Sequence, residues 1–299
     1  IQKILSEELH GTVAAFYIQM GDQPLARCQI ILRMTGVGIP DYNHKKIEAQ
    51  LVYAVQSWED NLEKALKIEH GEEAGLAKNL QWSSCFDSGY RQLYPPDNVI
   101  HDINYLENVL ETQKMGLNLY RPKNNNSVTA RLKIYTHGAI IPLSDVVPIF
   151  ENIGFRVIDE VGPHYINSEN FSECQLIMHD FGLQIKDQTP INVESIRENF
   201  QNLFHQVCEK NIDNDGFNAL VTKTNLGWRD ITIIRAYSKY LRQVGITFSQ
   251  AYMENTIAKN PKIASTIIAL FLIRFDPYYL PSKKRKLQDL RKTLENSIG

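Results

Sequence analysis

Between Gly116 and Asn211 the hydrophobic period switches repeatedly between alternation and helical spacing, and the order of those switches restricts the fold more than any other feature. Residues 116–120 read as a short strand, and residues 122–127, with three consecutive Asn, as a loop. Residues 128–136 alternate: Leu132 and Ile134 face one way, and Arg131, Lys133 and Tyr135 the other. Ser144 is placed to cap a helix that runs through Asn152, and Gly154 to end it. Pro148 falls just past the first turn of that helix, where a missing N–H is least harmful. Residues 155–161 and 174–185 read as two more strands, and residues 191–211 as an amphipathic helix. The order strand, strand, helix, strand, strand, helix predicts an antiparallel sheet with helices on one face.

The flanks differ from this unit. Residues 1–10 read as the tail of a helix, with Ile1, Ile4, Leu5 and Leu9 on one face and Gly11 ending it. Residues 12–20 and 25–34 are β-prone runs joined by a turn at residues 21–24. One long helix is predicted over residues 44–70, with Ile47, Leu51, Val55, Trp58, Leu62 and Leu66 on one stripe. A chain that opens inside a helix and carries part of a sheet reads as cut from something longer. Short helices follow to residue 111, punctuated by Tyr94-Pro95-Pro96. After Asp213 the pattern is helical throughout, over residues 217–224, 228–244, 249–260, 262–274 and 283–296. Gly227, Gly245, Pro261 and Pro277 separate these segments, and no fixed repeat recurs.

Composition narrows the class of protein. The chain has 299 residues, 43% of them apolar and 22% charged, which suits about two domains with real cores. Lys plus Arg is 32 against 34 for Asp plus Glu, a net charge of −2, so a nucleic-acid partner is not expected. A membrane is not expected either, since the longest strongly apolar stretch, residues 264–273, is too short to span one. Cys28, Cys85, Cys174 and Cys208 are far apart and form no C-x-x-C, so neither a disulfide framework nor a zinc ribbon is expected. The start shows no signal-peptide pattern, and a cytoplasmic setting with reduced thiols is the expectation. The glycosylation triplets at Asn125 and Asn170 are then chance matches.

Motifs with known chemistry are scarce. Gly36-Val37-Gly38 lacks the third glycine of a dinucleotide fingerprint, and no P-loop, zinc-protease or nucleophile-elbow pattern occurs. His179-Asp180-Phe181-Gly182 resembles a catalytic pair or a kinase triplet. Neighbouring strand residues point to opposite faces, and the other kinase motifs are missing, so a structural role is predicted. Residues 211–216 mimic the start of a calcium loop, but its twelfth position is Thr222 instead of a bidentate Glu. A polar connection in which Asp213 or Asp215 caps the next helix is the better reading. Arg235, Lys239 and Arg242 share a helix face, read as solvated, with a domain or subunit contact as the alternative. Lys283-Lys284-Arg285-Lys286 reads as a charged surface helix, and Tyr278-Tyr279 as a packed corner. The histidines form no metal pair at helical spacing. The loop from Gly138 to Asp145 opens a helix whose free N–H groups can receive a carboxylate, a generic property. Physics alone gives a non-catalytic sensor or scaffold.

Several long segments carry a resemblance: residues 132–135, 142–159, 178–183, 215–220, 228–252 and 274–277, with Ser57 to Leu62 and Tyr94 to Pro96 upstream. They are similar to the large bacterial NAD-specific glutamate dehydrogenases, over nearly the whole chain. The resemblance implies an α+β fold: ACT-like, ferredoxin-like antiparallel sheet units with helices on one face, plus an all-α helical region. It implies the C-terminal part of an ACT-like domain with its long helix at 1–70 and a helical connector at 71–112. An ACT-like domain at 113–212 and a helical-motif region at 213–299 follow. The parent reaction would be oxidation of L-glutamate by NAD and water to 2-oxoglutarate, ammonium and NADH. The family's catalytic lysines, aspartate and glycine-rich nucleotide motif have no match here, so no catalytic, cofactor-binding or metal residue is carried over. NAD would belong to the parent enzyme and not to this segment. The implied partners are the catalytic domain of the same polypeptide, further copies in a homo-oligomer and an amino-acid effector. By the habit of ACT domains that effector would sit near Leu143, Ser144, Asp145 and Gly154. The alternatives are a purely architectural oligomerisation scaffold, with Trp58, Leu62 and Leu66 partly covered by another subunit, or an amino-acid sensor outside this enzyme.

Overall fold

A computed structural model describes residues 1–20, 26–34, 41–122, 129–167, 175–187, 191–275 and 283–298. The predicted turn at 21–24, Gly36 to Gly38, Asn125, Asn170, Cys174 and Pro277 to Tyr279 lie outside these residues, as do the side chains of Lys283 to Lys286. The chain divides into two compact units, Ile1–Ser84 with Tyr90–Ile100, and Cys85–Gly89 with His101–Gly299.

The first unit opens with helix α1 (Gln2–Glu8) and an antiparallel pair, β1 (Gly11–Met20) and β2 (Ala26–Met34). Helices α2 (His44–Val55), α3 (Trp58–His70) and α4 (Glu72–Trp82) follow, and the short α5 spans Ser88–Leu93. The single helix predicted over 44–70 is therefore two. The break is a capping box: Ser57 is extended, its hydroxyl accepts from the Asp60 N–H at 3.0 Å, and the Asp60 carboxylate accepts from the Ser57 N–H at 3.4 Å. Those bonds satisfy helix-start donors, so a new helix begins where a continuous one was expected. Leu62 and Leu66 are fully buried in a core with Trp82, Tyr90 and Val99. The Trp58 indole N–H donates to the Tyr94 carbonyl at 3.0 Å, and the Arg91 guanidinium lies 5.2 Å from the Trp58 ring. With Leu62 and Leu66 fully buried and Trp58 partly so, little of this stripe is left to meet another subunit.

Helices α3 and α4 approach each other so closely that Gly75 has no room for a side chain. A Cβ there would lie 2.6 Å from the Lys67 Cα and 2.8 Å from the Leu66 carbonyl carbon. In an open helix Gly→Ala gains about 1 kcal/mol of propensity. Here backbone must move instead, so Gly75→Ala is expected to lower stability by about 1–3 kcal/mol in urea unfolding. A gain would refute this close crossing.

The second unit holds the four-stranded sheet in the order β3-β4-β6-β5, all neighbours antiparallel. Its elements are β3 (Gly116–Tyr120), β4 (Ala130–His137), helix α7 (Leu143–Ile153), β5 (Phe155–Ile166), β6 (Leu176–Ile185) and helix α8 (Val193–Cys208). The α+β class expected from the sequence is the one adopted. Leu132, Ile134, Phe181 and Leu183 cover one face of the sheet, and Phe150 from α7 and Phe200 and Phe204 from α8 fill the space above it. The Phe150 ring centroid is 5.4 Å from those of Phe181 and Phe204. Such aromatic contacts add to plain burial.

The other face of the sheet is covered too, which the one-sided prediction missed. Residues 101–112 of helix α6 (Pro96–Thr112) lie over it, with Tyr105 stacked on Tyr135 at 5.1 Å. Lys133 and Tyr135, on the face opposite Leu132 and Ile134, are buried there. Alternation reports two faces and not which of them meets water.

The remaining chain is helical: a 3₁₀ turn at Gly216–Ala219, then α9 (Leu220–Thr224), α10 (Trp228–Gln243), α11 (Gln250–Lys259), α12 (Pro261–Phe275) and α13 (Lys283–Ile298). Ile231, Ile234, Ala264 and Ile268 join the core above the sheet. Among the described residues no single helix is long and apolar enough to cross a membrane. The pair α11 and α12 passes that test only together, and it is bent by 97°.

Candidate functional site

The most concentrated chemistry in the second unit lies between α6 and the sheet. Lys133 Nζ donates to Asp102 Oδ2 at 2.5 Å, and the Tyr135 hydroxyl donates to Asp102 Oδ1 at 2.6 Å. Both members of the ion pair are buried, Lys133 at 4% and Asp102 at 1% exposure. Beside them Asp180 accepts from Arg131 Nε and from the Tyr120 hydroxyl, each at 2.8 Å. Arg131 also reaches Asp159 at 2.9 Å. Burial, with the Asp180 carboxylate adding to it, pushes the Tyr120 phenol far above its ordinary range. Tyr120 therefore stays a proton donor to a charged carboxylate. Every group in this layer is engaged by another, which is the chemistry of a clamp between helix and sheet.

His179 and Asp180 take opposite faces, as strand geometry requires. Asp180 joins the layer under α6, whereas His179 Nδ1 lies 2.8 Å from Glu160 Oε1 and its ring stacks on Phe181. They form no dyad.

A second buried cluster ties the helical region together. Arg235, only 4% exposed, donates to both oxygens of Asp215 at 2.6 and 2.8 Å and to Asn218 Oδ1 at 2.8 Å. Lys239 pairs with Asp213 at 2.7 Å. The reading of Arg235 as part of a solvated face is corrected: the acidic turn before it draws its guanidinium inward. The same bonds occupy the carboxylates that mimicked a calcium loop, and Asp215 also accepts from the Phe217 N–H at 3.2 Å, as a cap does. Among the described residues no group of three His, Cys, Asp or Glu side chains is placed to hold a metal.

The residues singled out for an effector do not form one cluster. Leu143, Ser144 and Asp145 lie in the first turn of α7, where Leu143 is exposed and Ser144 Oγ is 3.2 Å from Asp145 Oδ1. Ser144 does not cap the helix; Pro142 holds the cap position without a side-chain bond. Gly154 ends the same helix in a left-handed conformation, φ 100°, about 15 Å further along at 1.5 Å per residue. Its Cα faces Thr222 and Ala219, and the Thr222 hydroxyl donates to the Ile153 carbonyl at 3.1 Å. Gly154 thus serves the junction with the helical region, and only the first-turn residues stand open to solvent.

The first unit has an apolar groove of about 650 Å³ between α1, β2 and α2, lined by Leu5, Leu9, Leu32, Met34, Ile47 and Leu51 among others. Tyr42, His44 and Glu48 also line it.

Sequence reasoning did not select Asp102. Its partner Lys133 lies 31 positions away, and only the pair of cations, Arg131 and Lys133, on a strand's second face hinted at buried counter-charges.

The chain matches four domain families in succession: "Glutamate dehydrogenase, ACT2 domain" over residues 1–59, "helical motif 2" over 65–109, "ACT3 domain" over 114–196 and "helical motif 3" over 212–277. It is 33% identical to the NAD-specific glutamate dehydrogenase of Halomonas elongata, over 95% of the chain and 17% of that protein. It is 29% identical to the enzyme of the same name from Pseudomonas aeruginosa, over 100% of the chain and 18% of that protein. With that of Mycobacterium tuberculosis the identity is 23%, over 92% and 18% respectively. The chain spans under a fifth of the length of these relatives.

The described residues do not fit NAD. A dinucleotide lies on a parallel sheet, at a glycine-rich turn from strand to helix, with its pyrophosphate on the helix N-terminus. All neighbouring strands here are antiparallel. The turn from β4 to α7 has Gly138 alone, and Asp145 places a carboxylate in the first turn, where a pyrophosphate would be repelled.

Proposed function

Since this chain belongs to the NAD-specific glutamate dehydrogenase family, as a segment of its ACT and helical-motif domains, we propose that it regulates the parent enzyme and carries out no chemistry itself. The parent activity would be oxidative deamination of glutamate with NAD, performed by a catalytic domain elsewhere in the same polypeptide, in the cytoplasm and within a homo-oligomer. The observation that carries the reading is the fate of the buried and part-buried charges. Lys133, Asp102, Arg131, Asp180, Arg235 and Asp215 are all engaged in holding elements together. Ion pairs that join helix to sheet and turn to helix are accounted for by structure alone, which supports a non-catalytic reading. Burial also pushes the Cys208 thiol up to about 11, which removes it as a nucleophile at neutral pH.

In this reading an amino-acid effector biases the ACT-like unit, and the first turn of α7, with Leu143, Ser144 and Asp145, is one place for it to act. Gly154 would then contribute through the packing of the helical region against α7. A second reading, pure architecture, is favoured by the exposed apolar run Tyr240, Val244, Phe248 and Tyr252 at the junction of α10 and α11. The two separate cleanly in thermal unfolding with an amino-acid panel, read beside sedimentation equilibrium. Regulation predicts a melting temperature that rises with one amino acid by mass action. A ligand-silent oligomer would reject regulation in favour of architecture.

A further inference from the structure

We propose that α10 joins this chain to a second copy of itself, by antiparallel pairing of one apolar helix stripe about a two-fold axis. The proposal rests on the homo-oligomer in the reading above, and it holds whether the segment regulates or only supports. Helix α10 already has a core face, formed by Ile231, Ile234, Arg235 and Ser238, all buried. At 3.6 residues per turn, Tyr237, Tyr240, Leu241 and Val244 fall within about 100° of one another on a second face. These four are 42%, 59%, 40% and 56% exposed. A helix buries one stripe against its own domain, and a second apolar stripe left in water marks a contact.

Neighbouring rings hold and extend the stripe. Tyr237 meets Phe271 of α12 edge-on, with the ring centroids 6.1 Å apart. Beyond Gly245, Phe248 stacks on Tyr252 of α11 at 4.9 Å, and both are 54% exposed. With Ile246 at 41% exposure, the patch amounts to roughly 600 Å² per copy, the upper end of what a monomer keeps in water. Burying it on both copies removes roughly 1,200 Å² from water, the size at which specific interfaces begin. Its wealth of Tyr and Phe is also that of an interface core.

The make-up of the stripe favours a second copy over a charged partner. It contains no Asp, Glu, Lys or Arg; Lys239 and Arg242 lie on other faces of α10, and Lys239 is held by Asp213 at 2.7 Å. A two-fold contact sets a surface against itself, which an uncharged surface tolerates and a single-sign one does not. The spacing also fixes the register. An axis at the Tyr240–Leu241 peptide sets Tyr237 against the partner's Val244 and Tyr240 against the partner's Leu241, a ring on an aliphatic side chain each time. A slip of one residue would set Leu241 against the partner's Lys239, or Tyr240 against the partner's Arg242.

Sedimentation equilibrium of the 299-residue chain over a wide range of concentration is the test. A reversible dimer is expected, weakened about a hundredfold or more by Tyr240→Glu combined with Val244→Glu, because each charge enters an apolar contact near its own copy. Both positions are exposed, so unfolding curves at low concentration should match those of the parent. Tyr17→Glu, on the exposed strand β1, should leave the dimer unchanged. In a Cys28→Ser background, Tyr237→Cys and Val244→Cys should form a disulfide with each other when mixed, mapped by mass spectrometry, and none when separate. Like positions lie about 10 Å apart along the antiparallel pair, beyond disulfide reach. Cross-links between like positions overturn the register. A dimer undiminished by the double variant, or lost in Tyr17→Glu, overturns α10 as the interface and leaves the homo-oligomer standing. A chain monomeric at every concentration overturns both, and leaves the stripe for another part of the longer polypeptide to cover.

Discussion

Replacing Asp102 by Ala will lower the stability of the second unit by about 3–5 kcal/mol, the loss expected when one partner of a buried ion pair is removed. Lys133 would lose its counter-ion in a site closed by α6 and the sheet, and the Tyr135 hydroxyl would lose its acceptor at the same time. Deletion of charge on both sides is a different perturbation. Asp102→Leu combined with Lys133→Met should recover most of the loss, since a well-packed apolar pair replaces two desolvated ions. Urea unfolding of the three proteins checks this. A single variant as stable as the parent would mean that α6 does not clamp the sheet.

Arg235→Met is the other large effect, again about 3–5 kcal/mol. It strands the part-buried Asp215 carboxylate and the buried Asn218 amide, and loosens the turn that leads into α9. Arg235→Lys should recover only part of the loss, because an ammonium cannot span two carboxylate oxygens and an amide as a planar guanidinium does. Thermal unfolding followed at 222 nm reads the change. Equal stability of the Lys and Arg forms would contradict the forked geometry.

These two clusters mark what the sequence conveys and what it withholds. The alternation of residues 128–136 was legible because period 2 is local, and so was the order of elements that makes the sheet antiparallel. The opposite faces of His179 and Asp180 follow from the same rule. Which face of the strand would be buried was not legible, since that depends on α6 arriving from a distance of some thirty positions. Arg235 misled for a related reason. A basic residue at helical spacing looks solvated until the acidic turn 20 positions earlier is seen to fold onto it. The break at Ser57 was in plain view as a Ser followed three residues later by Asp, and the apolar stripe running through it concealed the cap. The effector residues were chosen by resemblance, and helix length alone separates Gly154 from the other three.

The central claim is that this segment regulates and does not catalyse. Its most direct test is to titrate NAD into the purified chain by calorimetry and to follow glutamate-dependent NADH formation at 340 nm. The account predicts no saturable heat with NAD and no NADH from the chain alone. Saturable NAD binding, or NADH formed in proportion to the chain added, would contradict it.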